Sequence, residues 1–485
     1  MYKFILFIFF FFPLYVSAAP LDVFVAEKLN HPVLNGAWWG GIAAYSDGEI
    51  LFSSNENTRL TPASTLKLLT SAAALDVLGP HHRFETKLYA QHAPDSNGTL
   101  QGNLYIQGGA DPTLGSTRTT GSLSKEEVLN AWVKAVQKAG IKKITGNIYA
   151  DISLFEGISI PNKVNWENMG NYYAAPASAL SFNDNSFRIH FKPQPFSDKP
   201  AEISHTEPEI AGLDIESYVT TDGKNKKDNA YAYAAPKQYL MKIYGTIPTN
   251  FMGFSINAAM PDPALYTVQM LKQALRSAGI SMQGSAQTTT EAVNYDSMLL
   301  LHTLRSPELK DILIPVNKRS FNLYAEMLLR HLALHQNKKG SIENGLKELN
   351  SFLQKNKIIK PNEAVLYDGS GLSRDNMLTP KALLNTLLFM EKHPHFKHYY
   401  NSLATPDDRG DLLLLRRFLK PLKKVESVRI KGGTIDSVKA AAGYVKDKNG
   451  NTIAFVFMAN NLADKNEAIL RIHEDIIKQL LSSEK

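Results

Sequence analysis

Residues 61–78 of the 485-residue chain have the sequence TPASTLKLLTSAAALDVL, which predicts a long apolar helix. Pro62 suits the first position of a helix, and Thr61 is expected to be its N-cap. Gly79-Pro80 should end the helix. The apolar side chains recur at helical spacing, at Leu66, Leu69, Ala73 and Val77.

Ser64 and Lys67 lie near the start of this helix, three residues apart. Because residues i and i+3 share one face of a helix, the Lys67 amine can reach the Ser64 hydroxyl. A lysine beside apolar neighbours loses proton affinity and can act as a base, so the pair offers a nucleophile and a base for serine acyl transfer. Ser122-x-x-Lys125 has the same spacing, but there Ser124 and Glu127 predict a capping box instead.

Two later segments carry residues that can complete such a site. Ser320-Phe321-Asn322 precedes a helical pattern at Leu323–His335, and Lys431-Gly432-Gly433-Thr434 follows the alternating strand Val428-Arg429-Ile430. Each pattern is common by itself, because Ser181-Phe182-Asn183 also matches the first and Lys431 could be a solvent-facing lysine before a bend. The three motifs together, in this order, are far more specific than any one of them.

With S-x-x-K, S-x-N and K-x-G in this order, the chain resembles the penicillin-interacting serine acyl transferases. Within them it resembles the D-alanyl-D-alanine carboxypeptidase/endopeptidase family, the class C low-molecular-mass penicillin-binding proteins. The reason is that 256 residues separate Ser64 from Ser320, and that family carries a large insertion there. Residues 108–114, 173–180 and 368–373 also resemble the family.

The resemblance implies an α+β fold with a β-lactamase/transpeptidase-like catalytic domain, in which helices flank an antiparallel sheet. We expect that domain to comprise residues 19–84 and 296–485. Residues 85–295 are expected to form one or two inserted β-rich domains. A length of 485 residues agrees with two to four domains.

The resemblance also implies the chemistry, which is hydrolysis of peptidoglycan stem peptides or cross-links by a serine D,D-peptidase. Ser64 attacks the D-Ala carbonyl and forms an acyl-enzyme, while Lys67 takes the Ser64 proton. Ser320 relays a proton to the leaving amine, and water then releases the acyl group. Peptidoglycan peptides are the expected partners and β-lactams the expected inhibitors. The resemblance implies no metal and no organic cofactor.

The resemblance implies that four further residues bind the substrate. Asn322 binds its amide, and Lys431 supplies positive potential for its carboxylate. Gly433 allows the backbone to approach closely, and the N–H of Thr434 forms the oxyanion hole with the nucleophile's own N–H. Gly432 departs from the Thr or Ser usual in the family, and the missing hydroxyl removes one hydrogen bond to the substrate carboxylate, on the order of 1.5–3 kcal/mol.

Residues 1–18 predict a secretory signal peptide, not a structural element. An apolar run at residues 4–12 follows Lys3, and small residues at Val16-Ser17-Ala18-Ala19 allow cleavage after Ala18 or Ala19. The mature protein is therefore expected in the periplasm or outside the cell. The chain has no cysteine, which excludes disulfides, iron–sulfur clusters and a thiol nucleophile. The net charge of +7 is mild, and no nucleic-acid partner is expected.

Two other functions remain open on the sequence. A β-lactamase or esterase could use the same catalytic core, and a non-catalytic wall-binding relative could have lost activity through Gly432. His331 and His335 have the i, i+4 spacing of a metal-binding pair, but without the glutamate of a zinc protease they predict ordinary helix packing or solvation. The balance between carboxypeptidase and endopeptidase action and the oligomeric state also stay open.

Overall fold

The computed structural model describes residues 21–224, 227–250, 252–408, 413–463 and 467–485. The predicted signal peptide lies outside the described residues. Within these ranges, no helix combines the length and the apolar character needed to span a bilayer.

The helices of the described chain have these bounds: α1 Leu21–Leu29, α2 Lys67–Leu78, α3 Lys125–Lys138, α4 Trp166–Met169, α5 Pro263–Ser277, α6 Leu309–Lys318, α7 Asn322–His335, α8 Ile342–Lys355, α9 Pro380–Glu391, α10 Phe396–Ser402, α11 Leu413–Leu419 and α12 Glu467–Leu481. The strands have these bounds: β1 Trp38–Tyr45, β2 Ile50–Ser54, β3 Glu85–Ala90, β4 Thr99–Leu100, β5 Leu104–Gln107, β6 Lys143–Ile144, β7 Ile148–Asp151, β8 Ser186–Phe191, β9 Ile203–Glu207, β10 Asp214–Asp222, β11 Asn229–Tyr233, β12 Leu240–Pro248, β13 Phe254–Ala259, β14 Ser281–Met282, β15 Ala286–Thr289, β16 Leu299–Arg305, β17 Ala364–Val365, β18 Met377–Leu378, β19 Val428–Ile435, β20 Val438–Lys446 and β21 Thr452–Asn460.

A five-stranded antiparallel sheet of order β19-β20-β21-β1-β2 joins the two ends of the chain. Its central strand, β21, pairs with β20 on one side and β1 on the other. The segment Asp447-Lys448-Asn449-Gly450, whose Asn-Gly pair is typical of a hairpin turn, lies between β20 and β21. This sheet therefore depends on contacts between residues about 400 positions apart, such as Ile42 and Val456.

Helices cover both faces of this sheet, which explains why its strands are apolar at nearly every position. One face, with Ile42 and Val456, packs on α9 and belongs to a core that also contains residues of α2, α6, α7 and α8. The other, with Ala43 and Phe455, packs on α1, α11 and α12. Alternate residues of one strand thus reach opposite cores. The apolar stripe of α12 is buried against the sheet, at Ile469, Ile472, Ile476 and Leu480.

The helix predicted at residues 61–78 begins in a different way from the prediction. Residues Ala63–Leu66 form a 3-10 turn, and the α-helix α2 starts at Lys67. The prediction that Thr61 caps this helix is wrong, because the Thr61 hydroxyl donates to the backbone carbonyl of Arg374 over 3.0 Å. The loop that contains Arg374 offers this acceptor, and the turn itself has no side-chain cap.

The chain between residues 85 and 305 consists mainly of short strands. A mixed sheet has the order β15-β7-β5-β3-β16, and three-stranded sheets have the orders β14-β6-β4, β13-β8-β9 and β10-β12-β11. With α3 and α5 they enclose a second core, which contains the buried side chains of Trp132 and Phe182. The fold is α+β, as predicted, and the predicted domain limits at 84/85 and 295/296 stay a prediction.

Candidate active site

Ser64 and Lys67 form a hydrogen-bonded pair where the 3-10 turn meets α2. A 3-10 helix has three residues per turn, so side chains at i and i+3 eclipse each other. Lys67 Nζ donates to Ser64 Oγ over 2.9 Å. The S-x-x-K spacing therefore brings the two groups together as expected, although it does so through a 3-10 turn and not an α-helix.

Lys67 is completely buried, with 0% of its surface exposed. Its Nζ also donates to Asn322 Oδ1 and to the carbonyl of Ser370, in each case over 2.6 Å. Burial lowers the pKa of Lys67 from 10.5 to about 7, and two nearby carboxylates oppose this shift only in part. Lys67 therefore has the proton affinity of a general base at neutral pH.

The two carboxylates near Lys67 belong to Glu326 on α7 and to Asp368 between β17 and β18. Glu326 Oε1 accepts from the backbone N–H groups of Gly369 and Ser370, at 3.0 and 2.9 Å. The Asp368 carboxylate accepts from the backbone of Gly371 and Ser373 and from the side chain of Asn376. Burial raises the pKa of both carboxyls, and the charge of Asp368 adds to the rise at Glu326.

Sequence reasoning missed Glu326 and Asp368 as parts of this site. The one signal for Glu326 is a charged residue inside an otherwise apolar stretch of α7, four residues before Arg330, to which it pairs at 3.5 Å. Asp368 lies in the stretch 368–373 that supports the family resemblance. Their nearness to Lys67 depends on the packing of α7 and the β17–β18 loop against α2, which no local pattern predicts.

Ser320 and Lys431 form a second serine–lysine pair. Lys431 Nζ donates to Ser320 Oγ over 2.9 Å and to the carbonyl of Gly432 over 2.6 Å. Lys431 is fully buried, so the alternative of a solvent-facing lysine is wrong. Ser320 has a φ of +57°, a left-handed conformation that is unfavourable for residues other than glycine. This conformation occurs between α6 and α7, where it directs the Ser320 hydroxyl to β19.

Asn322 connects Lys67 to the β-rich region. Its Oδ1 accepts from Lys67, and its Nδ2 donates to the backbone carbonyl of Tyr173 over 2.7 Å. Tyr173 belongs to a 3-10 turn at Tyr172–Ala174. One wall of the site therefore comes from the β-rich region, and the contact of Tyr173 with Asn322 is one that the motifs alone did not predict.

Two glycines bring backbone segments against the turn that carries Ser64. A Cβ on Gly433 would lie 2.9 Å from both the Pro62 oxygen and the Ser64 nitrogen, so β19 runs directly past Ser64. A Cβ on Gly371, whose φ is +81°, would lie 1.9 Å from the Ala63 oxygen. Neither position has room for a side chain, and both approaches depend on glycine.

Gly432 lies on the opposite face of β19 from Lys431, because side chains alternate along a strand. Together with Thr434 it lines a cavity of about 20 Å³ between β19 and α12, beside the buried Glu474. Thr434 is exposed, and its hydroxyl accepts from Lys439 over 3.2 Å. Gly432, which departs from the family pattern, therefore borders this cavity.

Other residues whose spacing resembles that of a catalytic or metal-binding motif have structural roles. Ser124 and Glu127 form the predicted capping box at the start of α3. His331 is buried, its Nε2 lies 2.8 Å from the carbonyl oxygen of Ala110, and its ring stacks on Phe84 with centroids 4.1 Å apart. His331 is thus a packed core residue, as the helix-packing interpretation expects.

Comparisons with known proteins show which family this chain belongs to. The model of the D-Ala-D-Ala carboxypeptidase 3 (S13) family matches residues 21–481. A D-alanyl-D-alanine carboxypeptidase from Actinomadura sp. (strain R39) is 28% identical over 447 residues, which cover 89% of this chain and 79% of that protein. The D-alanyl-D-alanine carboxypeptidase DacB from Haemophilus influenzae is 26% identical over 428 residues, which cover 86% of this chain and 83% of that protein.

The fold is also found among solved structures. Penicillin-binding protein 4 (DacB) from Haemophilus influenzae matches with a TM-score of 0.81 at 23% identity, over 95% of this chain and 99% of that one. The same protein complexed with a β-lactam matches with a TM-score of 0.76. The predicted fold class, the predicted family and the predicted enzyme class, a serine-type carboxypeptidase, are therefore confirmed. From Leu21 to Leu481, this chain belongs to the D-Ala-D-Ala carboxypeptidase 3 (S13) family.

Proposed function

We propose that the chain is a penicillin-binding serine D,D-peptidase in which Ser64 is the nucleophile and Lys67 the general base. The contacts of the buried Lys67 carry this proposal. A neutral amine keeps two N–H groups, which suffice for the acceptors on Asn322 and Ser370, and its lone pair then faces the Ser64 hydroxyl. The lowered pKa of Lys67 makes this neutral form available near pH 7.

The proposed reaction has two stages. Ser64 Oγ attacks the carbonyl carbon of a D-Ala residue in a stem peptide while its proton passes to Lys67. The C–N bond then breaks as Ser320, held by Lys431, relays the proton taken up by Lys67 to the leaving amine, which returns Lys67 to its neutral form. A water molecule attacks the resulting ester, which releases the shortened peptide and restores the Ser64 hydroxyl.

The oxyanion hole is assigned to the backbone N–H groups of Ser64 and Thr434. The approach of Gly433 to the Ser64 nitrogen supports this assignment, because it holds the start of the Thr434 peptide unit beside the nucleophile. Two backbone donors directed at the developing negative charge stabilise the tetrahedral intermediate more than the ground state.

Asn322 and Lys431 are assigned to substrate binding. Asn322 is held between Lys67 and Tyr173, which orients its amide toward the substrate backbone. Lys431 brings a positive charge to the edge strand on which a substrate carboxylate would lie. In a stem peptide with a free C-terminal D-Ala and in a cross-linked one, the scissile amide contains the carbonyl of a D-Ala residue. We therefore assign both carboxypeptidase and endopeptidase action to this site.

The first alternative is a non-catalytic wall-binding protein, and the intact contacts among Ser64, Lys67 and Asn322 argue against it. The second is a β-lactamase or esterase. It differs from a D,D-peptidase in one measurable respect, since a β-lactamase releases hydrolysed penicillin rapidly whereas a penicillin-binding peptidase retains the acyl group.

The test is acylation by a fluorescent penicillin, followed by intact-mass analysis and mapping of the modified peptide. We expect one adduct, located on Ser64 and lost in Ser64→Ala. The matched control is Ser124→Ala, which changes a serine in the capping box of α3 and should leave the adduct unchanged. An adduct that persists in Ser64→Ala, or none on the unaltered protein, rejects the proposal, and rapid release favours the β-lactamase.

Location is part of the same proposal. Residues 1–18 are assigned as the signal that exports the enzyme to the periplasm, where its substrate lies. The N-terminal sequence of the protein recovered from the periplasmic fraction should begin at Ala19 or Pro20. Recovery of the full-length chain from the cytoplasm would contradict this assignment.

A further inference from the structure

The sheet β10-β12-β11 exposes a group of aromatic side chains on one of its faces. Val219, Met241 and Ile243 point to the other face and are buried in the second core. Tyr218 lies opposite Tyr244 in the register of β10 and β12, and Tyr244 lies opposite Tyr231 in the register of β12 and β11. We call the following set the aromatic face: Trp166, Tyr218, Tyr231, Tyr233 and Tyr244.

Four rings of the aromatic face form a continuous series. Tyr218 and Tyr244 stack with centroids 4.8 Å apart and an interplanar angle of 7°, and Tyr233 meets Tyr244 edge-on at 5.7 Å. Trp166 continues the series at 6.2 Å from Tyr233. Tyr218, Tyr244 and Trp166 are 54%, 44% and 55% exposed. Contiguous exposed rings of this kind are typical of a ligand or interaction surface, unlike single exposed apolar residues.

Polar groups accompany these rings. Glu216 pairs with Lys242 at 3.0 Å in the adjacent row of the same face, and the Tyr218 hydroxyl donates to Glu216 over 3.2 Å. Thr220 and Thr246 form the row on the other side of Tyr218 and Tyr244. The surface thus combines flat aromatic rings with hydrogen-bonding groups and both signs of charge. This combination suits a sugar, whose ring has apolar C–H faces and polar hydroxyl edges, better than a purely apolar partner.

The aromatic face is connected rigidly to the candidate active site. Asn171 Nδ2 donates to the carbonyl of Ala232 on β11 over 3.3 Å, and the Ala232 N–H donates to Asn171 Oδ1 over 3.1 Å. Two residues further along, the carbonyl of Tyr173 accepts from Asn322 over 2.7 Å. The sheet and the catalytic cleft are therefore held by one short segment, residues 166–174.

We propose that the aromatic face binds the glycan strand of peptidoglycan, a polymer of linked pyranose rings, while an attached stem peptide occupies the cleft at Ser64. This inference rests on the proposed function, which makes that polymer the carrier of the substrate peptide. Three strands span about 10 Å from Tyr218 to Tyr231, enough for consecutive sugar rings. Trp166 extends the surface toward the cleft.

The test separates glycan binding from catalysis. The probe is peptide-free glycan strands, prepared by amidase removal of the stem peptides, and the readout is their dissociation constant by isothermal titration calorimetry. In Tyr218→Ala and Tyr244→Ala we expect weaker binding by about three- to tenfold each, because the first change removes the outer ring of the stacked pair and the second removes the ring that holds it in place. Tyr218→Phe keeps the ring and should stay within about twofold of the unaltered protein. The control is Phe196→Ala, a ring 67% exposed whose backbone carbonyl accepts from Thr221, on the opposite face of β10.

The same variants are then compared on two substrates. Cleavage of a soluble D-Ala-D-Ala peptide and acylation by penicillin should be unchanged, whereas release of D-Ala or of cross-linked peptides from intact sacculi should fall with the glycan affinity. Equal glycan binding by all variants, or none by the unaltered protein, overturns the glycan site while leaving the peptidase intact. Failure of soluble-peptide cleavage in the unaltered protein instead overturns the proposed function. Concentration-dependent dimerisation that the tyrosine variants abolish would assign the face to a second copy of the chain and refute the glycan site.

Discussion

Acylation of Ser64 should follow the protonation state of Lys67. The burial of Lys67 lowers its pKa from 10.5 to about 7. At pH 7 a lysine with the ordinary pKa is deprotonated in only about 0.03% of molecules, whereas Lys67 is deprotonated in about half of them. The folded structure therefore supplies on the order of 10³ times more free base at neutral pH than an exposed lysine would.

The assay is the second-order rate constant for acylation by a fluorescent penicillin, measured from about pH 5 to pH 9. Because the base form disappears tenfold per pH unit below its pKa, we expect the logarithm of the rate to rise with unit slope up to about pH 7 and then to level off. Lys67→Arg should abolish acylation at every pH, since guanidinium keeps its proton. A rate that is flat from pH 5, or still rising with unit slope at pH 9, would refute the base role of Lys67.

A second variant tests the electrostatic origin of this profile. The Glu326 carboxylate raises the pKa of Lys67, so Glu326→Gln should move the midpoint of the profile to lower pH. The glutamine oxygen retains the acceptor position used by Gly369 and Ser370. The matched control is Glu343→Gln on α8, where the carboxylate is 79% exposed and is not among the groups that shift the pKa of Lys67. A shift to higher pH in Glu326→Gln, or an equal shift in both variants, would contradict this account.

Three other changes have defined outcomes. Gly371→Ala should slow acylation by at least about tenfold and lower the melting temperature, because the new Cβ would lie 1.9 Å from a backbone oxygen of the nucleophile's turn, and unchanged values for both would oppose this. Gly432→Thr should leave kcat/KM on a D-Ala-D-Ala peptide within about twofold, because the new side chain would face α12 and not the Lys431 side of β19, whereas a gain of about tenfold would show that its hydroxyl reaches the substrate carboxylate. The free energy of unfolding in urea is compared between the unaltered protein and Lys67→Met from about pH 7.5 to 9.5. The unaltered protein should become more stable relative to the variant by about 1.4 kcal/mol per pH unit. The reason is that folding lowers the pKa of Lys67, so the unfolded chain binds a proton that the folded chain does not. Lys310→Met should show no such slope, since its surface ion pair raises its pKa and keeps it protonated in both states over this range.

Several features of the fold could be predicted because they depend on neighbours in the sequence. The hairpin at residues 447–450 follows from turn chemistry, and the apolar stripe of α12 follows from helical periodicity. The Ser64–Lys67 contact belongs to the same class, since i and i+3 meet in either kind of helix. Thr61 shows the limit of such reasoning. Local rules predict that its hydroxyl caps the helix, but in the folded chain this hydroxyl donates to a backbone carbonyl in a distant loop.

Other features depend on segments that only the folded chain brings together. Lys67 meets Asn322 across 255 positions, and Lys431 meets Ser320 across 111. The order of the motifs indicated the family and hence that these residues share a site, but not that Tyr173 would hold Asn322 or that Glu326 would lie beside Lys67.

The family, the α+β class and the residue types available for chemistry can be read from the linear chain, because motif order and local periodicity are properties of that chain. How strongly Lys67 holds its proton depends on the folded structure. That pKa depends on the complete exclusion of water by surrounding helices and on the positions of Asp368 and Glu326, both of which arise from long-range packing.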